Sequence, residues 1–223
     1  MIWLDGNALS DVSVTFTPLY SYVPAGLTGA NEALKGLYGD GEGAPDPDKA
    51  TEVLEAAGVT TPLDISIQYV AERYGPSSSD EYAIIKDNLE ASGLFTVNLQ
   101  STEWVQYSED RVADLYPAYQ LGWFPDYSDA DNYLTPFFLT KNFLANHYDN
   151  PEVNDLILQQ AVTADPAERE ALIGEIQDKV AADLSTIPYM QGAQIAVVGA
   201  DVEGAEETLD ASFKFRYAAL SKG

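Results

Sequence analysis

The chain has no cysteine, a single histidine and few basic residues. Its 223 residues include 11 Lys and Arg against 36 Asp and Glu, which gives a formal net charge of −25. The absence of cysteine excludes disulfides, thiolate metal ligands and cysteine nucleophiles. The shortage of positive charge argues against nucleic acid as a partner, because nothing here could neutralise a run of phosphates.

Long apolar runs are also missing. No stretch of about 18 apolar residues occurs, which is the length that a membrane-spanning helix needs. The first ten residues, MIWLDGNALS, have neither the basic segment nor the continuous apolar segment of a signal peptide. Hydrophobic residues still make up 46% of the chain and aromatics 11%. This composition predicts a folded chain with a substantial core.

Strand and helix signals alternate in the first half of the chain. Residues 46–58 predict a short helix with Asp46 as N-cap, Pro47 at the first position and Gly58 after its end. Strands are predicted near residues 62–70, 94–102 and 118–123, with helices over 77–93 and 103–116 between them. This order is typical of an α/β layer, here a mixed sheet flanked by helices.

The second half of the chain predicts two longer helices. Asn150 and Asp165 each precede a proline at a first helical position, over residues 150–164 and 165–185. Largely apolar strands are predicted at 186–202 and 211–220. Residues 1–45, rich in glycine and proline, predict an extended but ordered loop region. With no repeat and no evident linker, residues 1–223 are predicted to form one α/β unit.

Catalytic motifs are weak. The only histidine, His147, lies in the polar segment NHYDNP and is best interpreted as a solvated loop residue. No G-x-S-x-G motif occurs, and GDGEG at 39–43 has acids where a phosphate loop needs lysine and a hydroxyl. We therefore expect no catalytic activity and no cofactor.

The segment GWFPDYSDADNY, residues 122–133, concentrates three aspartates among aromatics. A calcium loop beginning at Asp126 or Asp129 lacks the oxygen ligands and the glycine that such a loop requires, so we expect no metal. Two readings of the acids stay open: Asp126 with Asp129 as a glycosidase acid pair, and Asp129 or Asp131 as a cap of a short helix that follows.

Asp126 has a third interpretation. It lies three residues after Trp123, just beyond the carboxyl end of a predicted strand, where open α/β sheets bind ligands. A carboxylate beside aromatic rings suits a cationic head group, through charge-assisted hydrogen bonds and cation–π contacts. The alternative is a tryptophan in the core and a solvated aspartate.

Five segments, in this order, resemble the extracellular solute-binding proteins of family 5, which include the oligopeptide- and dipeptide-binding receptors of ABC importers. They are TPLYSYVPAGL (17–27), PDKATEVLEAAGV (47–59), STEWVQYSEDRV (101–112), GWFPDYSDADNY (122–133) and the two helices with the strand after them (150–191).

The resemblance implies a periplasmic-binding-protein-like fold of type II, cluster C, of which this chain looks like the C-terminal lobe. The N-terminal lobe of the same receptor, a signal sequence and any lipid-attachment cysteine are then expected upstream. The implied location is periplasmic, or extracellular and lipid-anchored at the cell surface. The implied partners are a peptide or other small solute and the permease subunits of an ABC importer.

The same resemblance assigns the ligand-binding residues. Asp126 falls where peptide receptors of this family hold the ligand's α-amino group, while Trp123 and Tyr127 fall at positions lining the pocket. The family's proline is replaced by Ala130, and Gln120 stands where oligopeptide receptors can carry arginine. Glu103 and Trp104 match a family pair to which we give a structural role.

Peptide import is therefore the leading functional hypothesis. The alternative is a carbohydrate-active enzyme or carbohydrate-binding module that stacks sugars on aromatics and uses Asp126 and Asp129. Sugars, nickel complexes and opines are also ligands within the family, so the resemblance leaves the solute open.

Overall fold

The computed structural model describes residues 16–75, 77–193, 197–208, 212 and 216–223. The secondary structure elements follow in chain order: β1 (Phe16–Pro18), α1 (Ala33–Leu37), α2 (Pro47–Ala56), β2 (Leu63–Tyr69), α3 (Ser78–Ala91), β3 (Phe95–Ser101), α4 (Trp104–Val112), α5 (Asp131–Phe138), α6 (Pro151–Val162), α7 (Pro166–Asp183), β4 (Met190–Gly192), β5 (Val202–Glu203) and β6 (Ser221–Lys222). Short 3-10 turns cover Ala205–Glu207 and Tyr217–Ala219.

Aspartate and asparagine caps set the starts of three helices, as the sequence predicts. The side chains of Asp46, Asn150 and Asp165 each accept a backbone N–H from the first turn of α2, α6 and α7. A proline follows each cap, where its missing N–H costs nothing and its fixed φ suits the helix. These helix starts are confirmed.

Two compact units account for the described residues. Unit 1 spans Tyr38–Gly122, and unit 2 joins the residues up to Leu37 with Trp123–Gly223. That residues 1–223 form a single lobe stays a prediction.

Unit 1 contains the parallel pair β2 and β3, in register from Leu63 opposite Phe95 to Tyr69 opposite Ser101. Helix α3 connects these strands and packs against β3. The strand predicted at 118–123 is wrong in its extent, since only Tyr119 forms a bridge, opposite Gln68. The chain then passes Gly122 so close to the Tyr74 ring that a Cβ would lie 2.5 Å from a ring carbon.

In β2 apolar residues alternate with polar ones, a pattern that predicts one face toward the core, and the observed burial differs from it. Gln68 is 5% exposed, whereas the residues predicted to face the core, Leu63, Ile65, Ile67 and Tyr69, are half-buried. Gln68 exchanges backbone hydrogen bonds with Ala118 and Gln120 at 2.9 and 2.8 Å, and its side chain donates to the Thr102 hydroxyl at 2.6 Å, so segments after β2 in the chain surround it.

Unit 2 contains the larger core, formed by α5, α6, α7 and the loop before α1. Its fully buried side chains include Leu134, Phe138, Ile157, Ile176 and Val180. Helix α7 turns one apolar face to this core, with Ile173, Ile176 and Val180 all buried.

The glycine- and proline-rich start of the chain is ordered by α7 where it is described. Gln177 of α7 is fully buried, accepts the Val23 N–H at 3.1 Å and donates to the Gly29 carbonyl at 2.6 Å. Gly29 has φ +88°, and a Cβ at this position would lie 2.5 Å from a side-chain carbon of Ile173, so there is no room for one. Of the predicted loop region 1–45 the structure describes residues 16–45, and this part is not loop throughout because it contains β1 and α1.

The C-terminal strands are shorter than the sequence predicts. Within 186–202 the strands are β4, antiparallel to β1, and Val202 of β5, while residues 194–196 lie outside the described residues. Within 211–220, residues 211 and 213–215 also lie outside the described residues, and Tyr217–Ala219 is a 3-10 turn instead of a strand. The strand pairing with β5 is β6, one residue further on.

No helix among the described residues is both long enough and apolar enough to cross a membrane.

Candidate ligand-binding site

Trp123 opens the loop that leads into α5. Its half-buried indole packs edge-on against Phe137, with ring centroids 5.3 Å apart, and lies 6.3 Å from the ring of Phe143. The indole Nε1–H donates to Oδ1 of Asn132 at 3.1 Å. The ring is therefore held on both an apolar and a polar side, and part of its surface stays exposed.

Asp126 presents its side chain to solvent while its backbone is fixed. The residue is exposed, and its backbone N–H donates to Oδ1 of Asn132 at 3.0 Å. The preceding Pro125 is buried, which anchors the loop immediately before the carboxylate. An exposed aspartate on a fixed backbone is an arrangement that a cationic group can approach.

Tyr127 is 45% exposed, and its hydroxyl donates to Oδ2 of Asp131 at 2.9 Å. Partial burial raises the pKa of Tyr127, a hydrogen bond from the Asn132 side chain opposes this rise, and the Asp131 carboxylate adds to it. The phenol therefore stays protonated near neutral pH and acts as a hydrogen-bond donor.

Asp129 forms an ion pair within unit 2. Its carboxylate oxygens accept from the two terminal nitrogens of Arg169 at 2.6 and 2.8 Å, and Oδ1 also accepts the backbone N–H of Asp131 at 2.8 Å. The Arg169 hydrogen bonds hold the pKa of Asp129 below its usual value. Such a carboxylate is poorly suited to serve as a general acid, which needs a raised pKa. The acid-pair interpretation of Asp126 with Asp129 therefore loses support.

Of the two aspartates predicted as alternative caps, Asp129 or Asp131, it is Asp129 whose side chain bonds to the start of the helix. Asp129 accepts the N–H of the first residue of α5, whereas the formal cap position is Ala130 and Asp131 lies inside the helix. Oδ1 of Asp131 accepts from the Thr135 hydroxyl at 2.7 Å and from Gln160 Nε2 at 2.5 Å. Gln160, fully buried, in turn accepts from Arg169, so a polar network extends inward from the loop.

Sequence reasoning missed Asn132. This residue is 4% exposed, and its single oxygen accepts from both Trp123 and Asp126. The only signal in the sequence was its position in the first turn of a helix just after the acidic segment. Asparagine there is equally typical of a solvated turn, so periodicity could not identify it.

The other residues singled out from sequence take structural positions. Glu103 is the N-cap of α4 and accepts the backbone N–H groups of Val105 and Gln106. Trp104 lies under the guanidinium of Arg73, 4.3 Å from the ring centroid. The capping by Glu103 agrees with the structural role predicted for this pair, and the role of Trp104 stays a prediction.

Gln120 is 6% exposed, and its side-chain oxygen accepts the Val70 N–H at 3.1 Å inside unit 1. His147 is exposed, which confirms a loop histidine at the surface. Among the described residues, no group of three or more His, Asp or Glu side chains could hold a metal ion.

The comparison with protein families defines the class. Residues 9–144, more than half of the chain, match the model of the bacterial extracellular solute-binding proteins, family 5 Middle. The chain belongs to this family, as its motifs predict. Proteins of the family are periplasmic or extracellular receptors for solutes, typically without enzymatic activity.

Solved structures confirm the periplasmic-binding-protein-like fold. The chain superposes on HbpA2 from Haemophilus parasuis with a TM-score of 0.76 at 19% identity, over 98% of this chain and 43% of that one. A dipeptide-binding protein from Pseudoalteromonas sp. SM9913, solved with Met-Leu, gives 0.73 at 23% identity over 99% and 43%. OppA from Haemophilus influenzae, in complex with RPPGFSPFR, gives 0.67 at 23% over 98% and 43%.

The chain thus spans less than half the length of the receptors that it matches. A search of the curated proteins found no match.

Proposed function

We propose that this chain is the C-terminal ligand-binding lobe of a peptide receptor for an ABC importer. Asp126 holds the α-amino group of the peptide, and Trp123 with Tyr127 forms the adjoining wall. The N-terminal lobe of the receptor completes the site, and permease subunits accept the loaded receptor. The receptor works in the periplasm or, lipid-anchored, at the cell surface.

The observation that carries the proposal is the exposed carboxylate of Asp126 on a fixed backbone beside the half-exposed Trp123 ring. In water such a carboxylate attracts an ammonium group only weakly. Closure of a second lobe over the pair removes solvent and strengthens the attraction, since the effective dielectric constant falls. Peptide complexes of the Pseudoalteromonas and Haemophilus influenzae proteins support the choice of a peptide over other solutes.

The ligand is identified first. The receptor carrying both lobes is purified without denaturation, and the co-purifying solute is identified by mass spectrometry. A peptide is the expected result, whereas a sugar, an opine or a nickel complex would contradict the proposal.

Asp126→Asn then tests the anchor in the two-lobed receptor. We expect a loss of affinity on the order of 2–5 kcal/mol, because the substitution leaves a buried ammonium without its partner. Isothermal titration calorimetry with the identified peptide and its N-acetylated form measures this loss. Acetylation should weaken binding to the wild type strongly and to Asp126→Asn much less.

Asp155→Asn is the matched control, since Asp155 is an exposed acid on α6 and the same charge is removed. Its dissociation constant should equal that of the wild type. An unchanged dissociation constant for Asp126→Asn would refute the anchor assignment.

A further inference from the structure

The first turn of α5 contacts every residue of the proposed ligand site. Oδ1 of Asn132 accepts from the Trp123 indole at 3.1 Å and from the Asp126 backbone at 3.0 Å. The neighbouring Asp131 accepts from the Tyr127 hydroxyl at 2.9 Å. The consecutive side chains of Asp131 and Asn132 thus hydrogen-bond to the proposed ammonium anchor, Asp126, and to the two residues of the adjoining wall, Trp123 and Tyr127.

Of these two side chains, that of Asn132 is the more constrained in its position. It is 4% exposed, and one oxygen atom uses both of its lone pairs on two different parts of the loop. Loss of that acceptor leaves two N–H groups without a partner in a half-buried setting, which costs more than the loss of a solvated hydrogen bond. The distance between the Trp123 ring and the Asp126 backbone is therefore set by one atom.

The helix that carries Asn132 is itself rigidly placed. The backbone N–H of Asn132 donates to the Asp129 carbonyl at 3.1 Å, at the start of α5. Further along the same helix, Leu134 and Phe138 are fully buried in the core of unit 2. A side chain on such an element transmits its position to the loop, because the helix cannot shift without disrupting the core.

We propose that Asn132 is the positioning residue of the ligand site, which fixes Trp123 and the Asp126 backbone so that a peptide's ammonium group meets the carboxylate beside the indole. Asn132 does not touch the ligand; it acts through these two residues. This inference rests on the proposed function for its effect on binding, whereas its effect on the loop holds without a ligand.

The first arm of the test uses the full chain without ligand. Asn132→Leu removes the acceptor at similar volume, and Asn132→Asp retains it. In ¹H–¹⁵N spectra, Asn132→Leu should shift the Trp123 indole resonance, assigned with Trp123→Phe. Amide exchange at Asp126 should become roughly tenfold faster, as the loss of one hydrogen bond implies. Asn132→Asp should leave both near the wild-type values, and Asn132→Ala replaces the leucine variant if that variant does not fold.

Asn150→Ala separates positioning from a loss of stability. It removes the cap of α6, in which the Asn150 side chain accepts the backbone N–H groups of Glu152 and Val153. These bonds do not involve the loop 123–127. The substitution should lower the thermal midpoint and leave the Trp123 and Asp126 signals unchanged. If Asn132→Leu leaves both signals in place, or Asn150→Ala moves them as much, the proposal is wrong.

The second arm measures affinity in the two-lobed receptor with the co-purifying peptide. Asn132→Leu should weaken binding roughly tenfold or more, as for other residues that orient a ligand-contacting group. Asn132→Asp should bind more tightly than Asn132→Leu, and the N-acetylated peptide should discriminate less between them.

The two arms separate the two hypotheses. If Asp126→Asn binds as the wild type while Asn132→Leu still disturbs the loop signals, the peptide-anchor function fails and the positioning of the loop stands. If Asp126→Asn loses affinity and Asn132→Leu does not, the positioning role in binding is overturned and the function stands.

Discussion

Buried glutamines occur in both units, and Gln68 of unit 1 and Gln177 of unit 2 are satisfied differently. In unit 1, Gln68 donates to the Thr102 hydroxyl at 2.6 Å, and its side-chain oxygen has no hydrogen-bond partner among the described residues. In unit 2, Gln177 uses both side-chain atoms on the backbone of the loop before α1, at Val23 and Gly29. A buried amide stabilises a fold only as far as its polar atoms are paired, so equal burial does not mean equal contribution.

The apolar cores of the two units also differ, in how many large side chains they bury completely. Unit 2 packs three helices and a loop around fully buried Leu134, Phe138 and Ile176. Among the described residues of unit 1, the large apolar side chains that are fully buried are Tyr107 and Val97, and α2 has no buried residue. The candidate ligand site is therefore attached to the unit with the more extensive core, as a rigid binding site requires.

The largest expected effect tests the core of unit 2. Phe138→Ala should lower the free energy of unfolding by about 4 kcal/mol, because it removes a fully buried ring and leaves a cavity. Urea unfolding followed by circular dichroism measures the loss. Phe143→Ala is the matched control, since that ring is 78% exposed and should cost less than about 1 kcal/mol. Similar losses for both would show that the ring of Phe138 does not lie in a close-packed core.

The next effect compares the two glutamines directly. Gln177→Leu should cost about 3 kcal/mol, because it leaves a buried N–H and a buried carbonyl unpaired. Gln68→Leu should cost about 1 kcal/mol, since it removes one bond and also an unpaired oxygen. The midpoints of urea unfolding show which of the two substitutions costs more stability. Gln159→Leu, at an exposed position, is the control. Equal losses at Gln68 and Gln177 would show that the two buried side chains contribute equally to stability, which contradicts the difference between the units.

The smallest effect concerns the ion pair beneath the candidate site. Arg169 holds the pKa of Asp129 below its usual 3.8, so the unfolded state takes up this proton first as the pH falls. The stabilisation is complete well above that value and is lost as the pH drops through the folded-state pKa. Asp129→Asn should therefore cost about 1 kcal/mol at neutral pH and less at about pH 3.

Unfolding free energies at the two pH values test this difference, with Asp155→Asn as the charge-matched control. A loss for Asp129→Asn that is the same at both pH values would indicate that the ion pair contributes nothing.

Local signals predicted much of the secondary structure. The caps Asp46, Asn150 and Asp165 act within three residues along the chain, so the sequence around each helix start contains all that decides it. The strand predicted at 118–123 was wrong in extent because a strand needs a partner over its whole length, and here pairing is limited to Tyr119. The burial of Gln68 was missed for a similar reason, since it depends on segments about 50 residues away.

For the candidate site, the family resemblance assigned Asp126, Trp123 and Tyr127, and their role in binding stays a proposal. The residues that hold them could not be predicted. Asn132 is close in sequence, but its contacts depend on how the loop folds back over α5.

By itself, the sequence determined the positions of the capped helices, the α/β character of the chain and its membership of family 5, because these depend on short patterns and on their order. Only the tertiary structure decided which polar side chains are buried and what they hold. Arg169 reaches Asp129 across 40 residues, and Gln177 reaches Gly29 across 148. Such contacts arise when the core brings distant segments together, and no local pattern of apolar and polar residues encodes them.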